Sequence, residues 1–119
     1  DSTKMVATDR MINYIRRDEL THVTIFANIL KEIKKEFPEI YDEKMITDMM
    51  NVAVDQEIKW SKHILGKNII GMSHINIENY TKWLANNRLS MLGIPPLYPE
   101  VISNPYKHLD RLQDNNSEK

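Results

Sequence analysis

A glutamate and a histidine three residues apart, Glu19 and His22, are the pair in this sequence best suited to binding a metal ion. On an α-helix, residues three apart project from the same side, so the carboxylate and the imidazole can reach one ion. A helical Glu-x-x-His is also half of a carboxylate-bridged two-metal site, in which a four-helix bundle supplies about six ligands. The pair therefore predicts part of such a site, with about four further ligands supplied from elsewhere.

Three helices are predicted to position this pair, and no strand-type alternation of useful length occurs. The fold class predicted is therefore all-α. The predicted elements, in chain order, are helices over residues 9–37, 42–65 and 76–92, a loop over 66–74 and an irregular proline-rich segment over 94–119, with a short helix at 106–112.

Residues suited to helix ends support these boundaries. Thr8 is a plausible N-cap for the first helix, and Pro38 blocks its continuation. Asp42 and Glu43 complement the positive start of the second helix. Gly66 suits a left-handed residue after its end.

The first predicted helix carries Glu19 and His22 on its apolar face. At about 100° per residue they fall in one arc with six apolar residues: Ile12, Ile15, Phe26, Ile29, Leu30 and Ile33. Burying an ionised carboxylate without a partner is unfavourable, and a metal ion would supply the missing charge. A buried Glu–His hydrogen bond without metal is the alternative.

The flanking residues of the first helix complete this prediction. Arg16, Arg17 and Thr21 are expected to face solvent. Asp18 lies at the edge of the apolar arc, where its carboxylate is placed to accept a hydrogen bond from a ligand imidazole.

The second predicted helix has one carboxylate, Glu57, within its apolar face. That face comprises Ile46, Met49, Met50, Ala53, Trp60 and Ile64. Glu57 is expected either to hydrogen-bond between helices or to reach solvent at a bundle end. In the third helix, Asn87 and Arg88 are predicted to make packing and partner contacts. The remaining histidines are predicted to lie at the surface: His63, His74 and His108.

The composition excludes several functions. The chain has 119 residues, 41% of them hydrophobic, which suits one domain. No cysteine is present, so thiolate metal sites, disulfides and cysteine nucleophiles are excluded. A net charge of −1 disfavours direct nucleic-acid binding. No signal peptide or apolar membrane span is evident, so we expect a cytoplasmic protein without a membrane partner. Because the first residue is Asp1, we expect a processed product or a piece of a longer parent.

Several segments, in order, resemble the small, radical-generating subunit of class I ribonucleotide reductase. The segment from Tyr14 to His22 resembles its last metal-ligand helix, and that from Ala53 to Trp60 resembles the next helix. The segment from Asn86 to Gly93, together with Asn104-Pro105, resembles the following helix and loop. The resemblance covers nearly the whole chain and implies the C-terminal third of that subunit, without its far C-terminal tail.

The resemblance implies a ferritin-like helical bundle that holds two iron ions, one manganese and one iron, or two manganese. Glu19 and His22 would be the last carboxylate and histidine ligands. Asp18 would lie on the radical and electron-transfer path, and Ile15 would line the apolar pocket around the radical site. Arg17 would be a structural ion-pair residue, and structural roles are implied for Glu57, Trp60 and Arg88.

The family's earlier ligands and radical tyrosine lie upstream of the matched region, and none of the chain's five tyrosines matches that tyrosine. The expected partners are therefore the remaining N-terminal part of the small subunit, on the same or a separate chain, a second copy in a small-subunit homodimer, and the large catalytic subunit. Two alternatives remain: a non-catalytic helical assembly module without metal, and a self-assembling dimetal carboxylate oxidase.

Overall fold

Three α-helices make up most of the described structure: α1 Ser2–Glu36, α2 Glu43–Leu65 and α3 Gly71–Ser90. The computed structural model describes residues 2–66 and 71–107, and side chains from 9 to 66 and from 74 to 107. Within these ranges there is no strand, which agrees with the predicted all-α class. Among the described residues, no helix is long and apolar enough to cross a membrane.

Two predicted helix starts are wrong. Helix α1 begins at Ser2, so Thr8 lies within the helix and is not its N-cap. No glycine or proline precedes Thr8, and nothing in that stretch stops helix formation. Helix α3 begins at Gly71, inside the segment predicted as a loop. The described part of that loop is Gly66, and residues 67–70 lie outside the described ranges.

The ends of α2 are close to prediction. Asp42 is the N-cap, and its carboxylate accepts a hydrogen bond from the backbone of Lys44 at 3.1 Å. Gly66 follows the helix with φ +72, a conformation that favours glycine. Its ψ of −176 differs from the left-handed helical value that we predicted.

Helix α3 ends in a Schellman motif that turns the chain into the proline-rich segment. The Gly93 N–H donates to the carbonyl of Ser90 at 3.0 Å, and the Ile94 N–H donates to that of Leu89 at 3.0 Å. Gly93 has φ +75, which explains why glycine occupies this position. Residues 94–106 are irregular, as predicted, whereas residues 108–112 of the predicted short helix lie outside the described ranges.

The apolar residues form two clusters between the helices. One joins Leu30 of α1 to α2 and α3 and to the turn after α3. The other joins Ile15 and Val23 of α1 to Leu65, Tyr80 and Tyr106, among others. The buried face of α2 comprises Ile46, Met50, Val54, Ile58, Ser61 and Leu65.

The predicted face of α2 was wrong at Met49 and Ile64, which are exposed. Ile46 and Met50 of the predicted face are buried, and the buried stripe continues through Val54, Ile58 and Leu65. The stripe therefore lies toward one edge of the predicted face, because the neighbouring helices rather than apolarity alone select the inward side.

Arg16 is buried, although we predicted it to face solvent. Its guanidinium lies 4.2 Å from the ring centroid of Tyr106 and 5.3 Å from that of Tyr80. The two rings pack edge to face at 5.4 Å. A planar guanidinium can stack on aromatic faces, so α1, α3 and the segment after α3 are held together by one side chain.

The side chain of Asn86 fixes the proline-rich segment against α3. Its amide nitrogen donates to the carbonyls of Tyr98 at 2.8 Å and Val101 at 3.3 Å. Its amide oxygen accepts from the Tyr98 N–H at 2.9 Å. The Tyr98 hydroxyl in turn donates to Asn51 of α2 at 2.7 Å. An irregular segment without its own regular hydrogen bonds is thereby given a defined path.

Replacing Tyr106 tests the contact with Arg16. Tyr106→Leu should lower the free energy of unfolding by about 1–3 kcal/mol, because the cation–π and aromatic contacts are lost. Tyr106→Phe is the matched control. The Tyr106 hydroxyl is buried with no hydrogen-bond partner among the described residues, so its removal should cost nothing measurable. Denaturant unfolding of both variants measures the difference, and equal stability of the two would contradict this account.

Candidate metal-ligand site

Glu19 is fully buried in α1, at 0% exposure. One carboxylate oxygen, Oε1, accepts a hydrogen bond from the hydroxyl of Ser61 on α2 at 2.7 Å. The other, Oε2, is buried and has no hydrogen-bond partner among the described residues. The guanidinium of Arg16, three residues before Glu19 on α1, lies over the rings of Tyr80 and Tyr106.

The electrostatics of Glu19 follow from this burial. Burial is the main cause that raises the pKa of Glu19 to about 8; the nearby side chain of Glu57 and the negative charge of Asp18 contribute to this rise, while the Ser61 hydrogen bond opposes it. The ionised form of this side chain is therefore disfavoured in the folded protein. A bound cation would reverse that preference.

His22 is exposed, and its side chain is 44% accessible, so the prediction that it lies in a buried arc was wrong. Ile29, about two turns further along the same side of α1, is exposed as well. Glu19 and Leu30 lie at the centre of the buried side instead. The described helices cover one side of α1, and His22 lies at the border of that side.

Glu57 of α2 holds the His22 ring. The imidazole Nδ1 lies 3.0 and 3.1 Å from the two Glu57 carboxylate oxygens. Because an ionised carboxylate can only accept, Nδ1 carries the hydrogen. This hydrogen bond, together with the negative charges of Glu57 and Asp18, raises the pKa of His22. Of the two alternatives expected for Glu57, these distances favour the hydrogen bond between helices.

Asp18 is placed differently from our expectation. Its carboxylate lies 3.5 Å from Nε2 of His22, which is longer than an N–H···O hydrogen bond. Glu57 therefore makes the closer contact with the ring. With Nδ1 protonated and bonded to Glu57, the Nε2 lone pair is available to a metal ion.

Two residues of α2, four positions apart, thus contact α1: Glu57 contacts His22, and Ser61 contacts Glu19. Trp60 lies beside them, half-buried, with its ring centroid 6.3 Å from that of His22. Sequence reasoning identified Glu57 but missed Ser61. A serine on an apolar helix face is the signal that was present, but its partner on α1 is separated by 42 residues.

The remaining predicted site residues have structural surroundings. Ile15 is fully buried. Arg17 is exposed and forms no ion pair with any described residue, so its predicted ion-pair role stays a prediction. Arg88 donates from Nε to the hydroxyl of Thr24 at 3.1 Å and from Nη1 to Asn87 at 2.7 Å. The bond to Thr24 agrees with the packing role expected for Arg88, and it joins α3 to α1.

The other histidines divide into three cases. His63 is exposed, as predicted. His74 is half-buried and its Nε2 is enclosed, so the surface prediction was wrong for that residue. His108 lies outside the described residues.

Across residues 2–66 and 71–107, no group of three or more acidic or histidine side chains is arranged to hold a metal ion.

Known proteins resemble this chain over nearly its whole length. The model of the family "Ribonucleotide reductase, small chain" matches residues 1–105. The ribonucleoside-diphosphate reductase subunit beta of Halalkalibacterium halodurans is 42% identical over 98% of this chain and 34% of the relative. That of Aquifex aeolicus is 40% identical over 82% of this chain and 14% of the relative. The R2 subunit structure from Clostridium botulinum superimposes with a TM-score of 0.60 at 39% identity, over 89% of this chain and 34% of that one.

These likenesses define the fold as that of the ferritin-like helical proteins to which the R2 structures belong. The chain belongs to the ribonucleotide reductase small-chain family. It spans about one third of the length of the Halalkalibacterium relative and of the R2 structure. This coverage agrees with the predicted correspondence to the C-terminal third of the small subunit.

Proposed function

We propose that this chain is the metal-binding C-terminal part of the radical-generating small subunit of ribonucleoside-diphosphate reductase, with Glu19 and His22 as metal ligands. The observation that supports this most strongly is the Oε2 atom of Glu19, which is buried without a hydrogen-bond partner among the described residues. Buried polar atoms are nearly always satisfied, so an orphaned carboxylate oxygen indicates a missing cation or proton.

His22 fits the same interpretation. Its Nδ1 is held by Glu57, which leaves Nε2 as a neutral donor atom, the form in which histidine binds metals. A carboxylate bonded to the far nitrogen of a ligand histidine is a common feature of metal sites. The metal-free assembly module would explain the His22–Glu57 hydrogen bond and would need Glu19 to stay protonated, whereas a bound cation would also give Oε2 a partner.

Oxygen and nitrogen ligands of this kind suit iron and manganese, so the cofactor would be two iron ions, one of each metal, or two manganese ions. The chemistry supplied by the bound metal pair would be oxygen activation, which yields the oxidising equivalent for ribonucleotide reduction in the large catalytic subunit. Asp18 would lie on the radical and electron-transfer path next to the metal site, and the 3.5 Å between its carboxylate and Nε2 of His22 supports this role.

The exposed side of α1 supports a partner that completes the site. Ile25 and Ile29 lie on the side that carries His22, and they are 53% and 52% exposed. Exposed apolar residues beside an incomplete ligand set favour coverage by further helices. We infer that the remaining N-terminal part of the small subunit covers this side and supplies about four further ligands. A small-subunit homodimer and the large subunit would complete the assembly.

Glu19→Gln tests the ligand assignment. In the assembled small subunit, reconstituted with Fe²⁺ or Mn²⁺, the variant should bind about one metal ion where the unaltered protein binds about two. An amide has nearly the same shape but lacks the charge, so the fold should be retained. Glu36→Gln, at the exposed end of α1, is the matched control and should bind metal normally. Unchanged metal content in Glu19→Gln would refute the assignment.

Ile29→Glu tests the covered side of α1. The charge should lower the free energy of unfolding of the assembled small subunit by about 1–3 kcal/mol, because it would be buried against the remaining helices. Met91→Glu, at an exposed position just beyond α3, should have little effect. Thermal unfolding of both variants gives the comparison. Equal stability of Ile29→Glu and the unaltered protein would show that this side of α1 stays in water.

A further inference from the structure

The hydroxyl of Ser61 donates to a neighbouring helix. The Thr24 hydroxyl also contacts another helix, but as the acceptor of a hydrogen bond from Arg88. Three other threonine hydroxyls donate to the carbonyl four residues earlier in their own helix: Thr21 to Arg17 at 3.0 Å, Thr47 to Glu43 at 2.8 Å and Thr81 to Ile77 at 2.9 Å. Such local bonds are the usual choice of helical serine and threonine. Ser61 instead donates across the helix interface to Glu19.

The surroundings of Ser61 make this bond significant. Ser61 is fully buried, between Ile58 and Leu65 on the inward face of α2. A hydroxyl placed in an apolar stripe is unfavourable unless it has a partner. At 2.7 Å, the bond to Glu19 has the length typical of an O–H···O hydrogen bond.

The bond also distinguishes the two oxygens of Glu19. Oε1 is engaged by Ser61, whereas Oε2 is buried and has no partner among the described residues. A side chain held at one oxygen loses rotational freedom, so the second oxygen is kept in one place. The hydroxyl therefore determines both the orientation of the carboxylate and which oxygen is left for a ligand.

We propose that Ser61 is a positioning residue that holds Oε1 of Glu19 and presents Oε2 to a metal ion. The proposal rests on the proposed function, in which Glu19 is a ligand. Neighbours that hydrogen-bond a metal ligand typically change metal affinity by about 10–100-fold when removed. Ser61 touches no metal in this account and acts through Glu19 alone.

Mn²⁺ titration of the assembled small subunit, followed by electron paramagnetic resonance, tests the role of Ser61. Ser61→Ala should weaken the affinity of the ion next to Glu19 by about 10–100-fold and change the spectrum of the bound ion. Ser61→Thr, which keeps the hydroxyl, should restore most of the affinity. Ser90→Ala is the matched control, because the Ser90 hydroxyl donates to the carbonyl of Asn87 within its own chain segment.

The outcomes separate the two proposals. If Glu19→Gln loses the ion while Ser61→Ala keeps the original affinity and spectrum, Ser61 has no positioning role and the ligand assignment of Glu19 stands. If Glu19→Gln keeps the ion, the proposed function fails, and the role of Ser61 fails with it. A purely structural effect of Ser61→Ala would lower the stability of metal-free protein without altering the spectrum, and this result too would overturn the proposal.

Discussion

The buried carboxylate of Glu19 is the constraint on which the site depends. It lies at 0% exposure with one oxygen bonded to Ser61 and the other without a partner among the described residues. An apolar side chain would pack in the same place without the cost of desolvating a charge. The position of this carboxylate therefore makes physical sense when a cation, rather than packing alone, stabilises it.

Helix α2 provides the frame for this carboxylate and for its histidine neighbour. Its inward face contacts α1 and α3 through apolar residues, and Glu57 and Ser61 place a carboxylate and a hydroxyl at the level of His22 and Glu19. The stacking of Arg16 on Tyr80 and Tyr106 fixes α1 against α3 on the other side. Three helices thus hold the side chains of Glu19 and His22 in place, while Ile25 and Ile29 on the outer side of α1 are exposed.

Sequence patterns predicted the features that depend on residues close together in the chain. The three helices and the pair Glu19 and His22 follow from periodicity and spacing, whereas the sequence left two alternatives for Glu57. The burial of Arg16 did not follow, because its aromatic partners lie on α3 and beyond it. The exposure of His22 and Ile29 depends on which side of α1 the other helices cover. Ser61 was missed because its role arises from a contact across 42 residues.

The most direct measurement is anomalous X-ray scattering from crystals of the assembled small subunit loaded with Mn²⁺. The account predicts a manganese peak within coordination distance of both Glu19 Oε2 and His22 Nε2, with Ser61 still bonded to Oε1. A metal-loaded structure without a peak at Glu19, and with Oε2 bonded to a protein group instead, would contradict it.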